Sequence, residues 1–434
     1  MPDTCDAIVL GAGAAGMFCA GVAARRGLRV LVIDHASDPG EKIRISGGGR
    51  CNFTNRDADR LERFAGADPG FARHALRAYP PAAFIALVRA HRIGFHEKHR
   101  GQLFCDDSAR RIVAMLRAEA DAGAVRWLTG CPVEAVEAVG GGADGADGAD
   151  GADGGAARFR VQTAAGSFLA RSLVVATGGL SIPKIGATDL GYRIARQFGH
   201  RIVETRPALV PLVFDAGRWS AWAGLAGVAH PVRIACAGDR GAPAFDEDLL
   251  FTHRGLSGPA VLQVSTYWRP GQALSIDLDP APPPGAGSQR EELGAWLRRA
   301  REGARQQLGT LLAERLPRRL VMHWLDMLAT THPRLGAQVR MAELGNRDLQ
   351  ALVTALRAWT VVPSGSEGYR KAEVTAGGVA TLELDDRSLM SRRQPGLHFI
   401  GEVVDITGWL GGYNFQWAWS SGHAAAMAIA EGGC

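Results

Sequence analysis

No two of the seven cysteines form a C-x-x-C pair, and their spacings are wide. The count is odd. This excludes a zinc knuckle and a disulfide scaffold, and it points to a reducing compartment. It also argues against a flavin disulfide reductase, which needs a closely spaced redox pair. Charge of one sign is scarce: the net is +5 over 434 residues. Acids and bases are interspersed, with no basic run, so neither nucleic acid nor an anionic membrane is expected as a partner. Residues 5–24 carry only one charge, Asp6, and are long enough to span a bilayer. No basic region precedes them, and their glycines belong to a turn motif. No signal peptide and no transmembrane helix is read, so the expected location is the cytoplasm. What is present is 47% hydrophobic and 21% charged residues. That suits a globular chain of about three domains.

The chain opens as strand, glycine turn, helix, strand. Residues 7–10 are a short apolar run, Gly11 to Gly16 the turn, Met17 to Arg26 a small-residue helix, and Arg29 to Ile33 a second apolar strand ending at Asp34. Short, continuously apolar runs bounded by turn residues read as buried parallel strands. Gly140 to Gly155 is a Gly-Ala-Asp repeat with nothing to bury, expected to be a flexible loop at a hairpin tip. Ser172 to Thr177 is a third buried strand. From residue 198 short strands separated by turns suggest a β domain. Pro280 to Gly287 reads as a linker, residues 290–355 as helical, and residues 397–400 as a last strand before a helix from Trp417 to Ala430. The simplest architecture is one doubly wound α/β domain with its halves at the two chain ends and two insertions between them.

Gly11-x-Gly13-x-x-Gly16 follows an apolar strand and opens a helix, and Asp34 ends the next strand. In that context the glycines allow a tight turn, backbone approach to a diphosphate, and close helix packing. Ala14 and Ala15 lie at the helix start, which faces the diphosphate. Asp34 is expected to accept from ribose hydroxyls. A second match, Gly140-x-Gly142-x-x-Gly145, follows no buried strand and is dismissed. The run Ser46, Gly47, Gly48, Gly49, Arg50, Cys51, Asn52 offers successive backbone N–H groups in a conformation that glycine favours, suited to a diphosphate or a flavin edge. Ala176, Thr177 and Gly178 end a strand where the chain passes close to something. Gly401 and Glu402 end another, and Gly412, Tyr413, Asn414 and Gln416 open a helix. A carboxylate there can bind ribityl hydroxyls, and the helix start can stabilise negative charge on a reduced flavin. Glycine-rich segments at both chain ends suggest one FAD stretched across one split domain.

The stretch Lys42-Ile43-Arg44-Ile45-Ser46-Gly47-Gly48-Gly49-Arg50-Cys51-Asn52-Phe53-Thr54-Asn55 resembles the signature of the BaiN/YhiN family of NAD(P)/FAD-dependent oxidoreductases, which includes enzymes named aminoacetone oxidases. Residues 176–184, 252–260, 374–379, 401–405 and 411–418 agree with it. The resemblance implies a glutathione-reductase-type FAD-binding Rossmann domain, split in sequence, with a β-barrel insertion and a helical insertion. The expected boundaries are 1–197 and 370–434 for the FAD-binding domain, 198–280 for the β-barrel-like insertion, 281–355 for the helical insertion, and 356–369 for the return through the β insertion. Lys42 and Val133 join the expected cofactor contacts. Asp34 stands where the family has a glutamate, and His253 lies in a stretch that departs from the family pattern.

The expected cofactor is noncovalent FAD, with NAD(P)H as a transient reductant. The expected function is hydride exchange between flavin N5 and a small organic substrate. An oxygen-using flavin amine oxidase is one alternative, and a flavin-dependent RNA-modifying or RNA-binding protein is another. No catalytic residue is assigned; Cys51, Asn52 and His253 are the candidates. Cys51 reads more simply as a small packing residue beside the ring. His91, His96 and His99 fit no common ligand spacing, and no metal site is expected.

Overall fold

The computed structural model describes residues 3–139, 158–239, 241–281, 291–302 and 305–432. The Gly-Ala-Asp repeat and most of the Pro280–Gly287 linker lie outside them. The chain divides into two compact units, one formed by residues 1–207 with 373–434, the other by residues 208–372.

The first unit is built on a seven-stranded sheet. Its parallel part runs Arg126–Leu128, Val30–Ile33, Asp3–Leu10, Gly166–Val175, Leu397–Phe399. The first half of Gly166–Val175 also carries an antiparallel hairpin, Val133–Ala138 with Phe159–Thr163. Val30–Ile33 is buried at every position, as a strand covered on both faces must be. The apparent bilayer-length run at residues 5–24 is cut by the glycine turn into a strand, Asp3–Leu10, and a helix, Ala14–Ala24. No helix among the described residues is long and apolar enough to cross a membrane. The last helix, Tyr413–Ala430, starts where the Gly412–Gln416 motif opens it, four residues before Trp417, with Gly412 at φ +99° preceding its first turn. Small residues on Ala14–Ala24 let it pack closely; a Cβ at Gly422 of the last helix would come 2.9 Å from Ala15 O.

The expected boundary at residue 198 differs from the observed one. Ile202–Ala208 pairs with Val374–Val379, which holds residues up to 207 in the first unit.

The second unit contains a seven-stranded sheet in which every adjacent pair of strands is antiparallel. Its two outer strands, Trp359–Val361 and Gly365–Ser366, are separated by three residues. Such a connection spans at most about 14 Å, so the sheet must curl to bring its ends together. The expected β and helical insertions form a single unit. Leu278 N–H donates to Leu356 O at 2.9 Å. The buried pair Arg315–Asp279, at 2.9 Å, fastens the helical part to the end of the sheet.

Candidate cofactor site

The parallel strands of the first unit end side by side. Leu10 lies opposite both Ile33 and Val175, and Val175 lies opposite Phe399. Gly11, Asp34 and Ala176 follow directly, and Gly401 follows one residue on. Residues chosen from four distant stretches thus share one edge, the position where open α/β sheets bind ligands.

At Gly11, φ is +106° and a Cβ would stand 2.5 Å from Ala176 O. At Gly16 a Cβ would stand 1.9 Å from Gly11 O. The protein's own packing requires both glycines. Gly13 differs, because a Cβ there would meet nothing within 4 Å. It precedes a helix with no side-chain cap and no acid in its first turn. An uncapped helix start with open space beside Gly13 fits a diphosphate. Asp34 Oδ2 accepts from Ala12 N at 2.5 Å and Oδ1 from Ala36 N at 2.7 Å. It therefore fixes the glycine turn, and each oxygen keeps a further lone pair for a ribose hydroxyl. Cys131 N–H donates to Asp34 O at 2.9 Å, which sets the strand beginning at Val133 beside this edge.

Gly47, Gly48 and Gly49 have φ of +56°, +68° and +82°. A turn of consecutive left-handed residues presents backbone rather than side chains, and the space beside Gly48 is open. Ser46 Oγ donates to Ile43 O at 2.7 Å, and Arg50 is exposed. Cys51 is fully buried, and its N–H donates to Ser46 O at 3.0 Å. Burial drives its thiol pKa far above the ordinary value, so it stays a neutral packing group. Asn52 is structural as well: its Oδ1 accepts from Gly412 N at 3.1 Å and its Nδ2 donates to Thr54 O at 3.0 Å.

The strand Asn52–Asn55 is bound to the start of the last helix at four points. Besides Asn52 with Gly412, Thr54 Oγ1 donates to Gln416 Oε1 at 2.7 Å, Asn55 Nδ2 to Gly411 O at 3.0 Å, and Trp419 Nε1 to Phe53 O at 2.8 Å. Gln416 is fully buried, and its Nε2 donates to Tyr79 O and Ser420 Oγ. Its amide positions the helix and has no face left for a ligand. Asn414 closes back on Gly408, accepting from its N–H and donating to its carbonyl, both at 2.8 Å. Tyr413 is buried against Phe64, and burial raises its phenol pKa.

Glu402 lies at the centre of a polar group. Its Oε2 accepts from Lys42 Nζ at 2.5 Å; its Oε1 accepts from Thr375 N at 2.9 Å and Ser181 Oγ at 3.1 Å. Lys42 Nζ also donates to Ser181 Oγ at 2.6 Å. A Cβ at Gly179 would fall 2.6 Å from Glu402 Oε1, so the glycine is what lets these groups meet. Gly178, at φ +73°, has open space beside it, and Thr177 Oγ1 is buried without a protein partner. Ser181 and Thr375 were not singled out from sequence, although both lie inside the resembling stretches 176–184 and 374–379.

His253 belongs to the second unit, on an exposed turn closed by Thr252 N–H donating to Gly255 O. His91 pairs with Glu119 and His96 with Asp106, each at 2.7 Å, so the histidines face different carboxylates.

The clear approaches at Gly13, Gly48 and Gly178, the uncapped helix start and Asp34 together fit an extended dinucleotide along the strand ends. Residues 5–428 match the family described as HI0933-like protein Rossmann domain. The chain is 45% identical, over 97% of each sequence, to the ribosomal RNA dihydrouridine synthase of Escherichia coli K12. It is 40% identical to the protein of that name from Haemophilus influenzae, over 99% of this chain and all of that one. It is 28% identical to the 3-dehydro-bile acid delta(4,6)-reductase of Clostridium scindens, over 98% of each. The chain belongs to the HI0933-like Rossmann family, and it is an FAD-dependent oxidoreductase.

Proposed function

We propose that this protein reduces a carbon–carbon double bond conjugated to a carbonyl, and that the bond is C5=C6 of a uridine in ribosomal RNA. The observation that carries this reading is the end-to-end similarity, at 45% and 40% identity, to two proteins named for that reaction. The relative named as a bile-acid reductase supports the reaction class independently. The uracil C5=C6 bond is conjugated to C4=O much as a steroid double bond is conjugated to its ketone. One chemistry therefore covers all three names. Such a reduction puts a hydride on the carbon β to the carbonyl and a solvent-derived proton on the α carbon. Bound FAD, once reduced, would supply that hydride, and NAD(P)H is the expected source of its electrons. The chain's part is to hold the cofactor along the strand ends, with Asp34, the glycine turns and Glu402 as its fixed points.

This reading replaces the expected small-molecule substrate with the alternative weighed beside it, an RNA-modifying flavoprotein. The weak overall charge argued against RNA, but full-length similarity bears more directly on the substrate than net charge does. The test is incubation of the FAD-loaded protein and NADPH or NADH with ribosomal RNA lacking dihydrouridine. The expected result is dihydrouridine in the nuclease digest, read as a gain of two mass units. Turnover of a conjugated 3-dehydro bile acid, with no change in the RNA, would favour the small-molecule reading.

A further inference from the structure

The positive charge of this chain is unevenly placed. Residues 290–355 hold eleven arginines and seven carboxylates, so this stretch carries a net +4 of the whole protein's +5. Some of these arginines are neutralised. Arg299 pairs with Glu291 at 2.5 Å, and Arg315 with buried Asp279. Arg318 and Arg319 are both exposed and stand in the first turn of the helix Arg318–Ala329, which has no acidic residue in that turn. Cations are disfavoured at a helix start, where the dipole is already positive. Two of them there concentrate positive potential.

Arg319 Nη2 donates to the carbonyls of Gly224 and Ala226. Carbonyls orient the guanidinium but leave its charge intact, so it is held ready for an anion at little entropic cost. Arg318 makes no ion pair among the described residues. The two arginines border an open cleft of about 440 Å³ with Gly224, Leu225, Met322 and His323, and Asp326 is the one carboxylate in its lining. Trp222 lies beside it, half-buried, with its ring centroid 4.9 Å from that of His323. His323 Nε2 is buried with no protein partner. One held guanidinium and a second exposed one beside Leu225 and Met322 suit the phosphates and sugars of a ribose-phosphate chain.

We infer that the cleft bordered by Arg318 and Arg319 is a docking surface for the phosphate backbone of the RNA substrate. This rests on the uridine-reduction reading above and names where the second unit would grip that substrate.

The test is filter binding of the FAD-loaded protein to protein-free ribosomal RNA fragments across a salt series. The variants are R318A/R319A and, because Arg319 touches backbone carbonyls, the single change R318E. Flavin absorbance and melting temperature serve as the fold control. Each lost phosphate contact lowers the slope of log affinity against log salt by about 0.7–0.9. The double variant should lose about 1.5 in slope and bind at least about tenfold more weakly at physiological salt, and R318E should also weaken binding. Wild type that binds RNA, with both variants unchanged in affinity and slope, overturns this surface and leaves the functional reading standing. Wild type that binds no RNA at any salt overturns both. An equal loss of binding to polyglutamate would assign the cleft to an acidic protein and overturn the RNA assignment.

Discussion

Lys42 and Glu402 are 360 residues apart in the chain, and their charged groups meet at 2.5 Å. Ser181 Oγ and Thr375 N–H complete the contacts around the carboxylate. One carboxylate thus holds together four segments of the first unit. The side chains of Lys42 and Glu402 are 33% and 16% exposed, which places the pair at the wall of the site rather than in the core.

Glu402→Ala should affect stability as well as cofactor affinity. It leaves the Thr375 N–H without its acceptor and Lys42 with only Ser181 Oγ, at a cost of about 1–3 kcal/mol. It also removes the carboxylate expected to hold ribityl hydroxyls, so the FAD dissociation constant should rise about tenfold or more. Flavin fluorescence titration and thermal melting of the FAD-free protein read the two effects separately. An unchanged dissociation constant would confine Glu402 to a structural role.

Gly13→Ala and Gly16→Ala should behave oppositely. At Gly16 the new methyl would overlap Gly11 O at 1.9 Å, so the FAD-free protein should lose stability sharply or fail to fold. At Gly13 the methyl meets open space, and stability of the FAD-free protein should change by no more than about 1 kcal/mol. FAD binding by Gly13→Ala should nonetheless fall, because the methyl stands in the approach to the helix start. Equal FAD affinity in wild type and Gly13→Ala would show that no diphosphate lies there.

The Cys51 thiol should be inert in the folded protein. It is fully buried, and burial raises its pKa. Iodoacetamide at pH 8 should label Cys51 only after denaturation, as mapped by peptide mass, and acid precipitation should release all flavin as free FAD. Cys51→Ala should keep bound flavin, losing only about 1 kcal/mol of packing. Flavin retained on the Cys51 peptide would reverse this assignment.

Stability should fall on mild acidification through His398. The ring is buried and Nδ1–H donates to Ser388 O at 2.9 Å, and burial pushes its pKa down from 6.5 to about 4. A depressed value means the unfolded chain takes up the proton first. The stabilisation is complete above pH 6.5 and is lost as pH falls towards 4, by about 3 kcal/mol in all. His200, also lowered by burial, adds in the same direction. His398→Asn keeps a donor for Ser388 O and should flatten the dependence. Urea midpoints at pH 7.5 and 5 in wild type and variant measure this; parallel losses in both would exclude His398 as a source.

Much of the cofactor edge was legible in sequence because its determinants are local. A short apolar run followed by Gly11-x-Gly13-x-x-Gly16 encodes strand, turn and helix within a few residues. The left-handed turn at Gly47, Gly48 and Gly49 needs glycine wherever it lies in the fold. The chain ends could be joined on paper because both carried glycine-rich strand ends, and sheet pairing of Val175 with Phe399 brings them together.

The roles of individual polar side chains were not legible. Asn52, Asn414 and Gln416 occupy motif positions that suggest ligand contact, yet their amides are spent on Gly412, Gly408, Thr54 and Tyr79. Sequence alone also placed the β and helical insertions in separate domains, because a change of periodicity looks like a boundary. Composition and local pattern by themselves determined the split α/β architecture, the glycine turns and the dinucleotide edge. Only the tertiary structure decided which polar groups remain available to a ligand and which arginines keep an uncompensated charge. The physical reason is that backbone conformation is set by near neighbours, whereas hydrogen-bond partners and burial are set by residues hundreds of positions away.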